Sequence, residues 1–192
     1  MGRKKLVIER REDILDAFEQ CILERGIESS SFQHIAQVLG MDRKIISHYF
    51  GNREALVDAM AQRIVDNFDS HMNEVLTKRE QSAGFMELVN VFYGQQEAIR
   101  RADILWAEIV AYATRSEIVR DRLRQSYEKM FWTMSEALKQ DYPNTPENQL
   151  QALVYAVVTL LDRSSTFEWL GVMESPIKSA KAAIEIILEN LE

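Results

Sequence analysis

The chain has little of several residue types that stabilise particular kinds of fold. Its 192 residues include one cysteine, three prolines and seven glycines. The single cysteine, Cys21, excludes an internal disulfide and a cysteine-rich metal site. The scarcity of proline and glycine disfavours turn-rich all-β folds and disorder. The longest strongly apolar run, residues 152–161, is about half the length that spans a bilayer. Residues 1–13 contain no apolar secretory segment. We therefore expect an intracellular, cytoplasmic protein without a membrane-spanning helix.

Negative charge exceeds positive charge, but only in one part of the chain. The formal net charge is −7, from 23 lysines and arginines against 30 aspartates and glutamates. Residues 1–50 carry eight of each sign, so the whole excess falls on residues 51–192. A neutral N-terminal part with clustered basic residues is compatible with nucleic-acid binding, because the distribution of charge matters more than its sum.

Helical periodicity dominates the sequence, and no segment has a convincing strand pattern. Apolar residues spaced three and four apart, bounded by Ser, Asp, Gly and Pro, predict about nine helices. The predicted helices cover residues 11–25, 32–39, 43–50, 53–76, 84–99, 101–114, 117–140, 147–170 and 176–191. This pattern indicates an all-α protein with a small head over 1–52, a connecting helix over 53–76 and a larger body over 77–192.

The head contains the pattern of a helix-turn-helix at residues 31–50. Ser31 and Asp42 are suitable N-caps for its two short helices, and Gly40 permits the positive φ that a tight turn between helices requires. Ala36 is small where the two helices cross. The apolar residues that fill the angle between the helices are Ile35, Leu39, Met41 and Ile46.

The other face of the second helix is polar and rich in hydrogen-bond donors. Arg43 and Lys44 lie in the first turn, where the helix dipole disfavours cations by about 0.3–1 kcal/mol each. Two cations at this position indicate an external anion such as DNA phosphate, or a guanine edge. The alternative is a solvated helix start whose charge is offset by Asp42. Ser47 and His48 continue the same face.

Residues 11–56 resemble the TetR-type transcriptional regulators. The matching positions are Arg11, Ile14, Leu15, Ala17, Gly26, Ser31, Ile35, Ala36, Gly40, Tyr49, Phe50 and Leu56. The resemblance implies a homodimer whose two recognition helices enter successive major grooves of a palindromic double-stranded DNA site. It also implies a divergent body that binds a small-molecule effector and forms the dimer.

The resemblance also implies roles for individual residues of the head. Ser31, Tyr49 and Arg53 match positions that hold phosphates. The groove-facing positions are matched by Arg43, Lys44, Ile45, Ser47 and His48. The family often has glycine, threonine, tyrosine and lysine at positions 44, 45, 47 and 53, so this chain departs from it mainly where the target sequence is read. Ile45 either meets a thymine methyl group or packs under its own helix.

Basic residues also stand before the first predicted helix. Arg3, Lys4 and Lys5 either reach a phosphate or the minor groove, as basic arms do, or form a solvated tail.

The body has aromatic residues and methionines suited to line an adaptable cavity between helices. The predicted pocket residues are Phe92, Trp106, Ile109, Tyr127, Phe131, Met134 and Asp162. The alternative is ordinary core packing. Glu108 and Asp162 are carboxylates within apolar segments, where either could pair with a cationic ligand, form a structural ion pair or face solvent. Residues 106–124 also resemble those of choline-responsive members of the family.

The last two helices have the spacing of an interhelical seam. Ile177, Ala180, Ile184, Ile187 and Leu191 are separated by three and four residues, an a/d pattern. Together with Val154 and Leu161 of the preceding helix, two copies would form a four-helix interface about a two-fold axis. The alternative is packing of this helix against its own body.

Nothing in the sequence indicates catalysis, so we expect no catalytic residues, no metal and no cofactor. His71 and Glu74 share a helix face, but two ligands do not make a metal site. The chain has no glycine-rich phosphate loop and no nucleophile elbow. The sequence therefore predicts a ligand-responsive, dimeric DNA-binding repressor, although activators use the same head. The alternative is an all-helical protein-interaction adaptor, which strong salt dependence of duplex binding would exclude.

Overall fold

A computed structural model describes the backbone of residues 2–78, 84–92 and 96–189, and the side chains of residues 6–73, 84–90 and 101–189. Within these residues the chain forms nine helices and no strand, which confirms the all-α prediction. They are α1 Gly2–Ser29, α2 Phe32–Leu39, α3 Arg43–Phe50, α4 Arg53–Lys78, α5 Phe85–Phe92, α6 Gln96–Ala113, α7 Glu117–Asp141, α8 Glu147–Leu170 and α9 Pro176–Glu189. None of the helices in the described part of the chain combines the length and hydropathy needed to cross a bilayer.

Three predicted helix boundaries differ from the structure by five residues or more, and one of them is the end of α5, which lies at Phe92 rather than at residue 99. Helix α1 begins at Gly2 rather than near Arg11, so residues 3–5 lie inside the helix instead of preceding it. Residues 3–10 contain neither glycine nor proline, so nothing local stops the helix from extending. Helix α6 begins at Gln96, five residues before the predicted start, and residues 96–100 are likewise free of helix breakers.

The chain divides into two units. The first, here called the head unit, comprises Met1–Asn67 and Ile104–Leu123, and the second, the body unit, comprises Phe68–Asp103 and Arg124–Glu192. The end of α6 and the start of α7 therefore belong with the helix-turn-helix. Each unit has its own apolar core.

The core of the head unit joins α1, α2 and α3 to parts of α4, α6 and α7. The buried residues of α1 recur at the spacing of one helix face, as its sequence predicts. The side chains with no more than 2% exposure include Ile14, Phe18, Ile22, Ile35, Ile46, Leu56, Met60 and Ile109. Cys21 is fully buried among them, and burial raises the pKa of its thiol, so this cysteine acts as a packing residue.

The core of the body unit joins α5, α8, α9 and much of α7. Helices α8 and α9 pack along each other and account for much of this core. Its fully buried residues include Val89, Met134, Val154, Val157 and Ile184. The buried face of α9 explains why the sequence of this helix has apolar residues at intervals of three and four.

Candidate nucleic-acid interface

The turn between α2 and α3 is built around Gly40. Its φ of 62° and ψ of 35° lie in the left-handed region, which glycine adopts without steric cost. Its N–H and that of Met41 both reach the Ala36 carbonyl, so the end of α2 is closed by backbone bonds. Ala36 is 2% exposed and Ile35 and Ile46 are fully buried. The small residue, the glycine and the apolar positions of the sequence pattern therefore form one tight helix-turn-helix.

Side-chain caps fix the first turns of both helices. Ser31 Oγ accepts the His34 N–H at 3.3 Å, and Asp42 Oδ1 accepts the Lys44 N–H at 2.7 Å. Both residues therefore satisfy amides that a helix start leaves unpaired. Ser31 was predicted to hold a phosphate, and in this structure its Oγ also serves as the acceptor of the cap.

One face of α3 is exposed and carries the residues predicted to enter a groove. Arg43, Lys44, Ile45, Ser47 and His48 are all exposed, whereas Ile46 and Phe50 on the other face are buried. Ile45 keeps 39% of its surface, so its side chain is not packed under the helix. The face combines two cations, a hydroxyl, an imidazole and one branched apolar group. Such a set of groups can hydrogen-bond to base edges and contact a thymine methyl group.

Tyr49 lies at the edge of this face. Its ring is half-buried and makes an edge contact with the His48 ring at 5.4 Å. Its carbonyl oxygen accepts a hydrogen bond of 2.5 Å from Arg11 Nη1, and the Arg11 guanidinium carbon lies 4.2 Å from the Phe50 ring centre. Helix α1 therefore holds the C-terminal end of α3.

Arg53, predicted to bind a phosphate, has partners within the chain. Its Nη2 donates to the Ile27 carbonyl at 2.6 Å and lies 3.7 Å from a carboxylate oxygen of Glu28. Its guanidinium carbon is 5.8 Å from the ring centre of Tyr112 on α6. Sequence analysis missed these contacts, because nothing local in the sequence links residues so far apart along the chain.

The predicted pocket residues are distributed over both units. Trp106 and Ile109 pack in the core of the head unit. Met134 is in the core of the body unit, and Tyr127 and Phe131 pack against it. Asp162 is exposed and accepts a hydrogen bond of 3.3 Å from the Tyr127 hydroxyl. The side chain of Phe92 lies outside the described residues.

A small cleft in the body unit lies between α4 and α7. Its volume of about 10 Å³ is that of roughly one water molecule. Its polar groups already pair with each other, since Ser126 Oγ and Lys129 Nζ both donate to Asp69, at 3.0 and 2.9 Å. This polar network was not predicted from the sequence.

Most residues of the predicted seam contact their own chain. Val154, Ala180 and Ile184 are at most 5% exposed. Leu161 and Ile177 pack partly buried against the same core, Ile187 is half-buried, and Leu191 lies outside the described residues. The outward surfaces of α8 and α9 are formed by other residues. The exposed residues include Ala152, Tyr155 and Thr159 on α8 and Ser179, Ala182 and Ile186 on α9, together with charged residues such as Arg163 and Glu185.

The described side chains include no group of three or more His, Cys, Asp or Glu placed to hold a metal ion. The side chain of Glu74, which shares a helix face with His71 in the sequence, lies outside the described residues.

Comparisons with known proteins agree with this geometry. Residues 14–60, about a quarter of the chain, match the family described as bacterial regulatory proteins, tetR family. The HTH-type transcriptional repressor Rv1474c of Mycobacterium tuberculosis is 31% identical over 77 residues, which are 40% of this chain and 38% of the repressor. The chain spans about half the length of other curated relatives that it matches.

Two solved structures share the fold along nearly the whole chain. A TetR transcription regulator from Haloarcula marismortui superposes with a TM-score of 0.78 at 16% identity, covering 95% of this chain and 97% of its own. A Saccharomonospora viridis protein in complex with choline gives 0.78 at 18% identity, covering 94% and 96%. Residues 14–60 therefore carry the sequence pattern of the tetR family, and the chain has the fold of these two solved structures.

Proposed function

We propose that this protein is a dimeric, ligand-responsive DNA-binding repressor. The observation that carries the proposal is the exposed face of α3, where Arg43, Lys44, Ile45, Ser47 and His48 stand together on a capped helix-turn-helix. An α-helix fits the major groove of B-DNA, which is about 12 Å wide. Repression is supported by the likeness to the repressor from Mycobacterium tuberculosis, which matches residues in 40% of the chain.

In this proposal α3 reads bases while residues around it hold the phosphates. Tyr49 lies at the edge of the exposed face and keeps the role of a phosphate contact. Ser31 caps α2 and Arg53 donates to the Ile27 carbonyl, so in this proposal the two residues act on phosphates indirectly, by positioning α2 and α4. Two heads that meet successive major grooves need a separation of about 34–36 Å and a palindromic operator.

The dimer is proposed to form through the outward surfaces of α8 and α9. These surfaces carry small and apolar side chains at helical spacing, with Tyr155 65% exposed and Ile186 61% exposed in a single chain. Two antiparallel copies of this helix pair would make a four-helix interface about a two-fold axis. Effector binding in the body would then shift the populations of head separations.

For the effector we propose a small organic cation. A protein of the same fold is known in complex with choline. In this chain the Asp162 carboxylate stands beside Tyr127 within the body unit, and a carboxylate next to an aromatic ring favours a cationic ligand.

Selection of bound duplexes from fragmented genomic DNA, at about 50 and 200 mM salt, tests the proposal. We expect a palindromic site whose binding weakens steeply as salt rises, since neutralised phosphates release counterions. Choline should then release the selected duplex, whereas its uncharged carbon analogue should not. Absence of enrichment at both salt concentrations, also with refolded protein stripped of ligand, would refute DNA binding and favour a protein-interaction adaptor.

A further inference from the structure

The segment that leads into α2 begins with a break in α1. Gly26 has φ 78° and ψ 161°, which turns the peptide plane before Ile27 away from the helical orientation. Ile27 is 1% exposed, so its N–H requires a partner inside the protein. Residues 26–31, here called the junction, connect this break directly to the cap of α2.

A side chain of α6 supplies that partner. Glu108 Oε2 accepts the Ile27 N–H at 2.8 Å, although 81 residues separate the two in the chain. The other carboxylate oxygen lies 3.3 Å from where a Cβ on residue 26 would stand. A hydrogen bond to a charged group contributes more than one between neutral groups, so this contact fixes the junction strongly.

The carbonyl group of Ile27 is held by a side chain of α4. Arg53 Nη2 donates to the Ile27 carbonyl at 2.6 Å, and Glu28 pairs with both Arg53 and Arg115. The guanidinium carbon of Arg115 lies 4.8 Å from the Tyr112 ring centre. Both polar groups of the Ile27 backbone are thus held by side chains from other helices of the head unit.

We propose that Glu108 is a positioning residue for the helix-turn-helix. Its carboxylate fixes the junction and thereby the start of α2, whose tight turn at Gly40 in turn orients the exposed face of α3. This inference rests on the proposed DNA-binding function. It assigns to α6, which carries no residue of the exposed face, an effect on operator affinity that is transmitted through the junction.

The test compares Glu108→Ala and Glu108→Gln with a matched control in the same unit. The control is Arg63→Met, which removes the ion pairs of Arg63 with Asp16 and Glu19 while keeping a long side chain. Each variant is measured for operator affinity at several salt concentrations, for global stability, and for hydrogen exchange of the Ile27 amide.

We expect Glu108→Ala to weaken operator binding about tenfold and to speed exchange at Ile27, with the salt dependence unchanged because no phosphate contact is lost. Glu108→Gln keeps an acceptor and should lose less affinity. Arg63→Met should leave affinity and exchange at Ile27 near wild type below its unfolding temperature.

Two results would overturn the proposal. One is an unchanged operator affinity in Glu108→Ala when the wild type binds. The other is a loss of operator affinity that is proportional to the loss in free energy of unfolding, by the same factor in Glu108→Ala and Arg63→Met. If the wild type binds no DNA, the proposed function fails instead. The contact between Glu108 and Ile27 is then tested separately, and unaltered hydrogen exchange of the Ile27 amide in Glu108→Ala would overturn it.

Discussion

Gly26 adopts a backbone conformation that is almost restricted to glycine. Its φ of 78° and ψ of 161° lie in a region essentially inaccessible to other residues. We expect Gly26→Ala to destabilise the protein by about 3 kcal/mol, because the new Cβ adds this strain to its close approach to Glu108. Urea unfolding measures the change.

Gly40→Ala provides the control for Gly26→Ala. Gly40 also has a positive φ, but a Cβ there meets nothing within 4 Å. Its ordinary left-handed conformation should cost about 1 kcal/mol. Equal losses in the two variants would show that neither the unusual ψ of Gly26 nor the Glu108 contact matters for stability.

The carboxyl group of Asp103 makes the free energy of unfolding depend on pH. Burial raises the pKa of its carboxyl, nearby Asp162 and Glu168 raise it further, and a hydrogen bond with Ser165 partly opposes them. A raised pKa means that the folded state binds the proton more tightly than the unfolded state. Stability from this group is therefore present at low pH and is lost as pH rises through its folded pKa.

Asp103→Asn should remove this loss of stability at neutral pH, because the amide does not ionise. We expect the variant to melt above the wild type at pH 7, with a difference that shrinks as the pH falls below the ordinary range for aspartate. Thermal unfolding between about pH 3 and pH 7 checks this. Glu174→Gln, at an exposed position, is the control. Parallel pH profiles for Asp103→Asn and the wild type would contradict the assignment.

At the scale of the element, the proposed docking of α3 gives its residues two distinct roles, reading bases and contacting the DNA backbone. Lys44→Ala or His48→Ala should change which base is preferred at one position, by about 1–3 kcal/mol, because these exposed side chains face the groove in the proposed docking. Tyr49→Phe should weaken binding to all sites by about 1 kcal/mol, because a phosphate contact carries no sequence information. Binding-site selection with each variant distinguishes them. The opposite assignment would show that another face of α3 enters the groove.

Helix ends were predictable where the sequence signals them locally. Helices α2, α3 and α8 have the predicted bounds, because Ser31, Gly40, Asp42, Gly51 and Gly171 mark their ends. The starts of α1 and α6 have no such residue, and there the predicted bounds were wrong by several residues. Local chemistry therefore decides which boundaries a sequence reveals.

Contacts between distant residues were not predictable in the same way. Glu108 stood out as a carboxylate in an apolar segment, yet nothing in the sequence joins it to Ile27, 81 residues away. The exposed face of α3 was predicted correctly as exposed, because helical geometry alone sets which side chains oppose Ile46 and Phe50. Arg53 resembled a phosphate-binding residue, but its partners come from α1 and α6.

At the scale of the whole molecule, an apolar repeat does not reveal whether its partner is the same chain or another copy. The residues of the predicted seam on α8 and α9 are used largely within the chain, with Val154 and Ile184 fully buried. The exposed surfaces of the same helices remain for a second copy. Small side chains such as Ala152 and Ala182 would allow close approach of helices, with Tyr155 as the large contact residue.

Tyr155→Glu tests this interface. A charge buried between two copies without a partner is costly, so we expect the variant to sediment as a monomer at micromolar concentration while its helix content is unchanged. Since one operator half-site binds a single head, operator affinity should fall by at least about 100-fold through loss of the second head. Analytical ultracentrifugation and operator titration measure the two effects on the same samples.

Ile118→Glu is the matched control, because Ile118 is 60% exposed and belongs to the α7 part of the head unit rather than to α8 or α9. It should remain dimeric, since a charge on a solvated helix face is hydrated and buries nothing. A dimer in Tyr155→Glu would place the interface elsewhere, whereas a monomer in both variants would show that any added charge dissociates the copies. Only a monomer in Tyr155→Glu together with a dimer in Ile118→Glu assigns the two-fold contact to α8 and α9.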